Sequence, residues 1–450
     1  MRALALLSLV GCADLGGPSD AVPSAGAVTW NRDVAAILER RCVGCHSESG
    51  LGGFPLDDYA TAAALAPQLV DAVESGRMPP FGAPATDACP SPFPWVDDPR
   101  LSVEEMLLLR VWAETGAPRG SGALRHAAPA AAPPRVDDVL RPQGVEVVEP
   151  GPDQHRCFVL QPRLPILYGL EAISIEPGDA DVVHHALLFS DPGGVVSAQA
   201  VGGSFDCFGL KPEGGRLLAS YAPGMGATIA PAGTALAMRD SDPLILQIHY
   251  HPRPDERRYD RTRVNLTYRW EEAEYAALQL LIGNLDTPEA GSGNGLLADA
   301  DGVSEFLIPA GATDHVEQMM VTLPVAVPFY SLGAHMHLAG RSMQLLLSSA
   351  DGLRSDCLLD VPDWDFSAQR AYEIDKPLGL LPTSTVGDRL VLRCAYDNAL
   401  RNAALAEELA AQGLDAPVDM VLGEASLDEM CLAVVGLVVP WSQVETAEAF

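Results

Sequence analysis

The chain has 450 residues, a length that predicts two or three domains, and its 48% hydrophobic content can fill sizeable cores. The formal net charge is −31 and Lys211 and Lys376 are the only lysines, so a nucleic acid would be repelled and that class of partner is excluded. Beyond the N-terminus no run of about 20 apolar residues occurs, which excludes an internal membrane-spanning helix.

Met1-Arg2 gives a short positive start, and Ala3 to Val10 is apolar apart from Ser8. Leu9-Val10-Gly11-Cys12 then reads as a bacterial lipobox, with a plain signal peptide as the alternative. The expectation is a lipoprotein signal over 1–11, a lipidated Cys12, and a cell-envelope protein held to the membrane by its lipid anchor alone. Ala13, rather than aspartate, points to the outer membrane. Residues 12–27, rich in Gly, Pro, Ser and Ala, form a flexible tether.

From 28 to 120 the pattern is helical. Val34-Ala35-Ala36-Ile37-Leu38 opens one helix, Ala62 to Ser75 predicts a second, and Ser102 with Glu105 caps a third that runs towards Trp112. A Pro/Ala-rich linker is expected over 121–150. Beyond it come apolar runs such as Cys157-Phe158-Val159-Leu160, Asp181-Val182-Val183, Leu244 to Tyr250, Val321 to Leu323 and Ser342 to Leu347, broken by Pro and Gly. They predict antiparallel strands, and a Gly-rich break near 275–301 divides them into domains over 151–280 and 281–450.

Within the helical stretch, Cys42-Val43-Gly44-Cys45-His46 is the attachment sequence of a c-type haem: two thiols capture the vinyl groups and the histidine ligates the iron. A redox pair or half a zinc site are the alternatives; the histidine, the export signal and the helical flanks favour haem. Met78, in Gly76-Arg77-Met78-Pro79-Pro80, is the candidate second axial ligand, against a packed methionine. Residues 28–120 resemble the cytochrome c domains fused to bacterial periplasmic oxidoreductases.

Five of the ten histidines fall in three strand-like patches: His184-His185, His249, and His335-x-His337. Residues two apart on a strand share a face, so His335 and His337 can grip one metal. His184 and His185 point to opposite faces of a regular strand. They can share a metal only if the strand is distorted or one binds through its other ring nitrogen. Imidazole suits copper and zinc, and an added thioether favours copper.

In order and context, Val182-Val183-His184-His185, Gln247-Ile248-His249-Tyr250, His335-Met336-His337-Leu338-Ala339-Gly340-Arg341 and Asp428-Glu429-Met430-Cys431 closely resemble the type II copper, ascorbate-dependent monooxygenases, the family of dopamine β-monooxygenase and peptidylglycine α-hydroxylating monooxygenase. The resemblance covers roughly residues 150–440. It implies an electron-transfer copper on His184, His185 and His249, and an oxygen-activating copper on His335, His337 and Met430. Met430 is chosen over Met336, Met343 and Met420 because it alone stands in the Glu-Met-Cys context. Gln247 matches a residue near the first copper. His251 lies outside the pattern, and His126, His155 and His315 are assigned ordinary roles.

The resemblance also implies disulfides Cys157–Cys207 and Cys394–Cys431. Cys89 and Cys357 remain, either pairing to staple the haem domain to the second copper domain or standing apart. The substrate-carboxylate residues of the peptide-hydroxylating members are replaced by Gly333, Leu432 and Val434, so a peptide C-terminus is not the expected substrate.

The expected fold class is therefore multidomain: a small all-α cytochrome c domain followed by two all-β antiparallel, jelly-roll-like copper domains. The expected activity is that of an oxidoreductase: hydroxylation of a C–H bond of a small substrate by O₂, with two copper ions and one covalent haem c. The haem would relay electrons from a periplasmic donor. The alternative is a non-catalytic electron-transfer or copper-handling haem lipoprotein.

Overall fold

The computed structural model describes residues 28–48, 52–90, 93–96, 98–127, 134–151, 153–163, 165–200, 202–207, 215–222, 225–238, 242–253, 255–284, 294–299, 302–366, 369–423 and 425–444. The expected signal, tether and lipidated Cys12 lie outside them. Two compact units are present: Met1–Arg77 with Leu101–Pro129, and Met78–Arg100 with Ala130–Phe450.

The described part of the first unit is helical. Helix α1 (Ala35–Arg41) follows a π-turn at Trp30–Val34, and α2 (Tyr59–Ala64), α3 (Ala66–Glu74) and α4 (Val103–Glu114) complete it. Trp30, Val34, Leu38, Leu56, Leu109 and Trp112 are buried together. The sequence predicts one helix over 62–75, but two form. Pro67 has no N–H to return to the preceding turn, so the chain breaks at Leu65 and restarts with proline in its first turn. The capping box on α4 is present, with Glu105 N donating to Ser102 Oγ at 3.1 Å and Ser102 N donating to the Glu105 carboxylate at 2.8 Å.

The second unit is dominated by strands: β1 (Gln154–Leu160), β2 (Val183–Ser190), β3 (Leu217–Tyr221), β4 (Leu244–Tyr250), β5 (Tyr275–Gly283), β6 (His315–Thr322), β7 (Phe329–His335), β8 (Gly340–Ser348), β9 (Ser355–Val361), β10 (Arg389–Tyr396) and β11 (Leu432–Pro440), with shorter strands between. One sheet has 14 strands. Along it run Leu170–Glu176, Thr234–Leu236, β5, β3, β2, β4 and β1 in that order. From β5 the sheet branches: β5 pairs with β11 over its whole length, β11 pairs with β7, and β7 with Ala371–Glu373. A second sheet of five strands orders Gly295–Leu296, β6, β10, β8 and β9.

This corrects the expected fold class. In place of an all-α domain followed by two antiparallel sandwiches, the structure is mostly β, with one large sheet that crosses the expected division at residue 280. The sheet is also mixed, because β5 runs parallel to Thr234–Leu236. The reason lies in β5 itself. Ala276, Ala277, Leu278 and Ile282 are buried, and a strand that apolar needs neighbours on both sides instead of an exposed edge at a boundary. The helices do not form a self-contained run either, since 78–100 belongs to the β unit. Strands Asp138–Leu140 and Glu146–Val148 form inside the stretch expected as a linker, where Leu140 and Val148 are buried.

Disulfides Cys157–Cys207 and Cys394–Cys431 are formed, and so is Cys89–Cys357. The last does not join the two units: both its cysteines lie in the second, where it ties the 78–100 segment to β9. Thr86 Oγ1 reinforces that tie by donating to Asp360 at 2.7 Å.

Candidate functional site

Strands β1, β4 and β2 lie side by side, and their register sets His155 opposite His249 and His249 opposite His185. The pairing of β4 with β2 then slips, so that Tyr250 faces Val183 and His184 is the extra residue of a bulge. It is a distortion of the kind that adjacent histidines need in order to share one metal. His184 Nδ1 lies 3.2 Å from His185 Nδ1, which lies 3.4 Å from His249 Nδ1. Ligands held ~2.0 Å from one ion sit roughly 3.3 Å apart in tetrahedral geometry, so three Nδ1 atoms at these spacings suit one small metal ion.

The opposite face of His249 is anchored. Its Nε2–H donates to Asp153 Oδ2 at 2.7 Å, which leaves Nδ1 with a free lone pair. Asp153 also accepts from His251 Nδ1 at 2.8 Å, so His251 supports the carboxylate and stays out of the ligand set. Despite the opposing cost of burial, bonds and charge from His249 and His251 hold Asp153 well below the usual carboxylate range. The same contact raises the pKa of His251. The His155 ring stacks on His249 with centroids 4.3 Å apart. Burial lowers His184 to about 4 and pushes His185 well below its ordinary value, so both are neutral and able to ligate near pH 7.

The second set stands at the end of β7. His335 donates through Nδ1 to Gln369 Oε1 at 2.7 Å, and His337 through Nδ1 to the Asp428 carbonyl at 3.0 Å. Each ring therefore keeps its Nε2 lone pair, and the ring centroids are 5.4 Å apart. Burial again lowers both to about 4. Glu429 is fully buried and accepts backbone N–H groups from His337 (2.9 Å), Ala339 (2.7 Å) and Met430 (3.1 Å). One carboxylate thus fixes the Met430 backbone beside the His-x-His turn. Burial pushes Glu429 up to about 7 against the pull of those N–H groups. Met430 is 4% exposed, its carbonyl accepts from Tyr396 Oη at 2.8 Å, and Cys431 is bonded to Cys394 in β10.

The two sets adjoin. The rings of His185 and His335 have centroids 6.3 Å apart. Phe366 stacks on His184 at 4.9 Å and meets the His337 ring edge-on at 6.3 Å.

In the helical unit, α1 is capped at its C-terminus by Cys42, and the turn after it is closed by Cys45 N and His46 N donating to the Cys42 carbonyl at 3.1 and 2.9 Å. Both thiols are free. Burial pushes Cys42 up to about 12, the reverse of what a redox-active Cys-x-x-Cys needs. His46 packs against Phe54 at 4.5 Å, and its Nδ1 is buried with no hydrogen-bond partner among the described residues. Gly52 is required beside it, because a Cβ there would lie 2.2 Å from that nitrogen. Met78 is 41% exposed and belongs to the other unit.

No protein-family model matches this chain, and no curated protein matches it either. Among solved structures, the major capsid protein P2 of bacteriophage PM2 aligns with 68% of this chain and 98% of its own, at 10% identity and a TM-score of 0.27. Allantoicase aligns with 54% of this chain and 78% of its own, at 11% identity and a TM-score of 0.16. A putative α-L-fucosidase from Bacteroides ovatus aligns with 66% of this chain and 40% of its own, at 9% identity and a TM-score of 0.16. Likeness at these scores carries no argument about function, which rests on the site.

Sequence reasoning missed Asp153, Gln369, Phe366 and the three-way role of Glu429. Asp153 and Gln369 are remote in sequence from the histidines they hold and carry no motif. Glu429 was visible only as a neighbour of Met430. The donor sets fit copper: imidazoles with their rear nitrogens tied, and a buried thioether residue beside the second pair. The thiol pair followed by His46 fits haem attachment.

Proposed function

We propose that the chain is a copper-dependent monooxygenase of the type II, ascorbate-dependent kind, inserting one oxygen atom of O₂ into a C–H bond of a small, apolar substrate. The observation that carries this reading is the convergence of three Nδ1 atoms on one point while Asp153 holds the rear of His249. Mere packing has no need to gather one ring nitrogen from each of three histidines within 4.8 Å of one another around a ring anchored from behind.

Copper, when bound, would supply one-electron transfer and O₂ activation, and haem would supply electrons from a periplasmic donor. His184, His185 and His249 would hold the electron-transfer ion, and His335, His337 and Met430 the other. Cys42, Cys45 and His46 would hold the haem. The other oxygen atom leaves as water, balanced by two electrons and two protons. Burial keeps the imidazoles neutral and water out. Phe366 closes the space between the two sets. Glu429 keeps Met430 in place as the site changes charge.

Sheet register supports the substrate class. Gly333 lies opposite Val434, and His335 opposite Leu432, so the positions that carry carboxylate-binding groups in peptide-hydroxylating relatives form an apolar patch beside the second set. A lipid anchor at Cys12 would keep the chain at the cell envelope.

The test is the copper-to-haem ratio of folded, haem-matured protein loaded with Cu(II), beside a Met430→Ala/His335→Ala double variant. Two coppers per haem in the parent and one in the variant are expected. A parent ratio of one or less overturns the reading and leaves the electron-transfer or copper-handling alternative.

A further inference from the structure

We propose that Asp299, His315 and Glu317 form a third metal site, apart from both histidine sets, that takes a divalent cation of the zinc class. His315 and Glu317 are two apart on β6 and share a face, and Asp299 reaches them from the loop before β6. One ligand atom from each residue lies within 4.8 Å of the others. His315 Nε2 is 2.8 Å from Glu317 Oε1 and 3.8 Å from Asp299 Oδ2. Ligands sharing an ion at ~2.1 Å sit about 3.0–3.4 Å apart, and these two separations bracket that range.

The independent observation is Glu317. Its side chain is fully buried, Oε1 accepts from His315 and from Leu307 N at 3.2 Å, and Oε2 has no hydrogen-bond partner among the described residues. An ionised carboxylate in that position is costly unless something positive meets it. A protonated His315 supplies one positive charge against two carboxylates, whereas a divalent ion balances both and leaves the imidazole neutral to ligate. The donor set has one imidazole, two carboxylates and no sulfur. That favours zinc over Cu(I), and three protein ligands are too few for calcium.

The position gives the ion a structural role. His315 pairs with Tyr396 and Glu317 with Cys394 across β6 and β10, and those two β10 residues hold Met430 and Cys431. The cation would pin the loop at Asp299 and the short strand Leu307–Ile308 to the strand beside the Met430 platform.

The experiment uses full-length, haem-matured protein with copper already loaded. It is exposed to a slight excess of Zn(II), desalted, and measured for zinc by mass spectrometry. One zinc per chain is expected, and the same in a His184→Ala/His335→Ala variant, so the result is independent of the copper reading. Zinc should be absent from Glu317→Gln with copper retained. Should Glu317→Gln fail to fold, Asp299→Asn at the rim should weaken zinc binding by about tenfold or more. Zinc-edge X-ray absorption should show nitrogen and oxygen ligands without sulfur. No zinc in the parent, or equal zinc affinity in the parent and Asp299→Asn, overturns the proposal.

Discussion

At the scale of single residues, the histidines are held in place by groups outside the proposed ligand sets. Asp153 fixes the tautomer and orientation of His249 at 2.7 Å, and a neutral amide in its place can still accept one hydrogen bond but cannot supply the charge. Asp153→Asn should therefore weaken copper binding at the His184/His185/His249 set by about 10- to 100-fold while leaving the fold intact. Competition with a copper chelator measures this, and an unchanged affinity would show that the carboxylate is only a structural partner. Glu429→Gln is expected to be harsher. Its amide nitrogen would face backbone N–H groups that now donate to a carboxylate, leaving a donor unpaired in a buried place at roughly 1–3 kcal/mol. A lower melting temperature together with loss of one copper is the expected result. Loss of stability with full copper content would detach Glu429 from the metal set. The histidine patches were legible in the sequence, because His-His and His-x-His at strand spacing are local patterns. Asp153, Gln369 and Phe366 were not, since each acts across a fold that brings distant segments together.

At the scale of elements, the bulge in β2 is what turns a pair of adjacent histidines into one half-site. The sequence posed that requirement, but nothing in Val183-His184-His185-Ala186 announces a register slip, which is set by pairing with β4. The sequence showed strands where apolar runs are bounded by Pro and Gly, and β4 runs over Leu244–Tyr250 as expected. It misjudged their grouping, because strand order depends on partners far along the chain, and β5 finds one such partner in β11. The Cys394–Cys431 bond, implied by resemblance, clamps β10 to the start of β11 over a sequence separation of 37. Releasing that loop in the unfolded chain should cost about 4 kcal/mol of stability. A Cys394→Ala/Cys431→Ala variant is expected to unfold at a correspondingly lower urea concentration, and to show weakened copper binding at the proposed His335/His337/Met430 set. An unchanged midpoint would mean that Glu429 and Tyr396 alone hold the Met430 segment.

For the whole molecule, the buried histidines make metal-free stability depend on pH in a definite direction. His184, His335 and His337 fall to about 4 in the folded state from an ordinary 6.5, chiefly through burial, and His155 likewise. A folded-state value below the unfolded one means that the unfolded chain binds more protons between the two. Stability is therefore fully present above about 6.5, declines as the pH falls towards 4, and loses nothing further from these groups below that. Each such site contributes a slope of about 1.4 kcal/mol per pH unit within the window. The lowered carboxylates, Asp153 among them, act only at still lower pH, and the raised carboxylate, Glu429, opposes the histidines between about 7 and 4.5 without outweighing them. Urea unfolding of metal-free protein at steps from pH 7.5 to 4 should thus show midpoints that fall steeply below pH 6.5. Copper-loaded protein should hold its midpoint to lower pH, because a metal-bound imidazole resists protonation. Superimposable profiles with and without copper would mean that these rings are not its ligands, whatever their spacing.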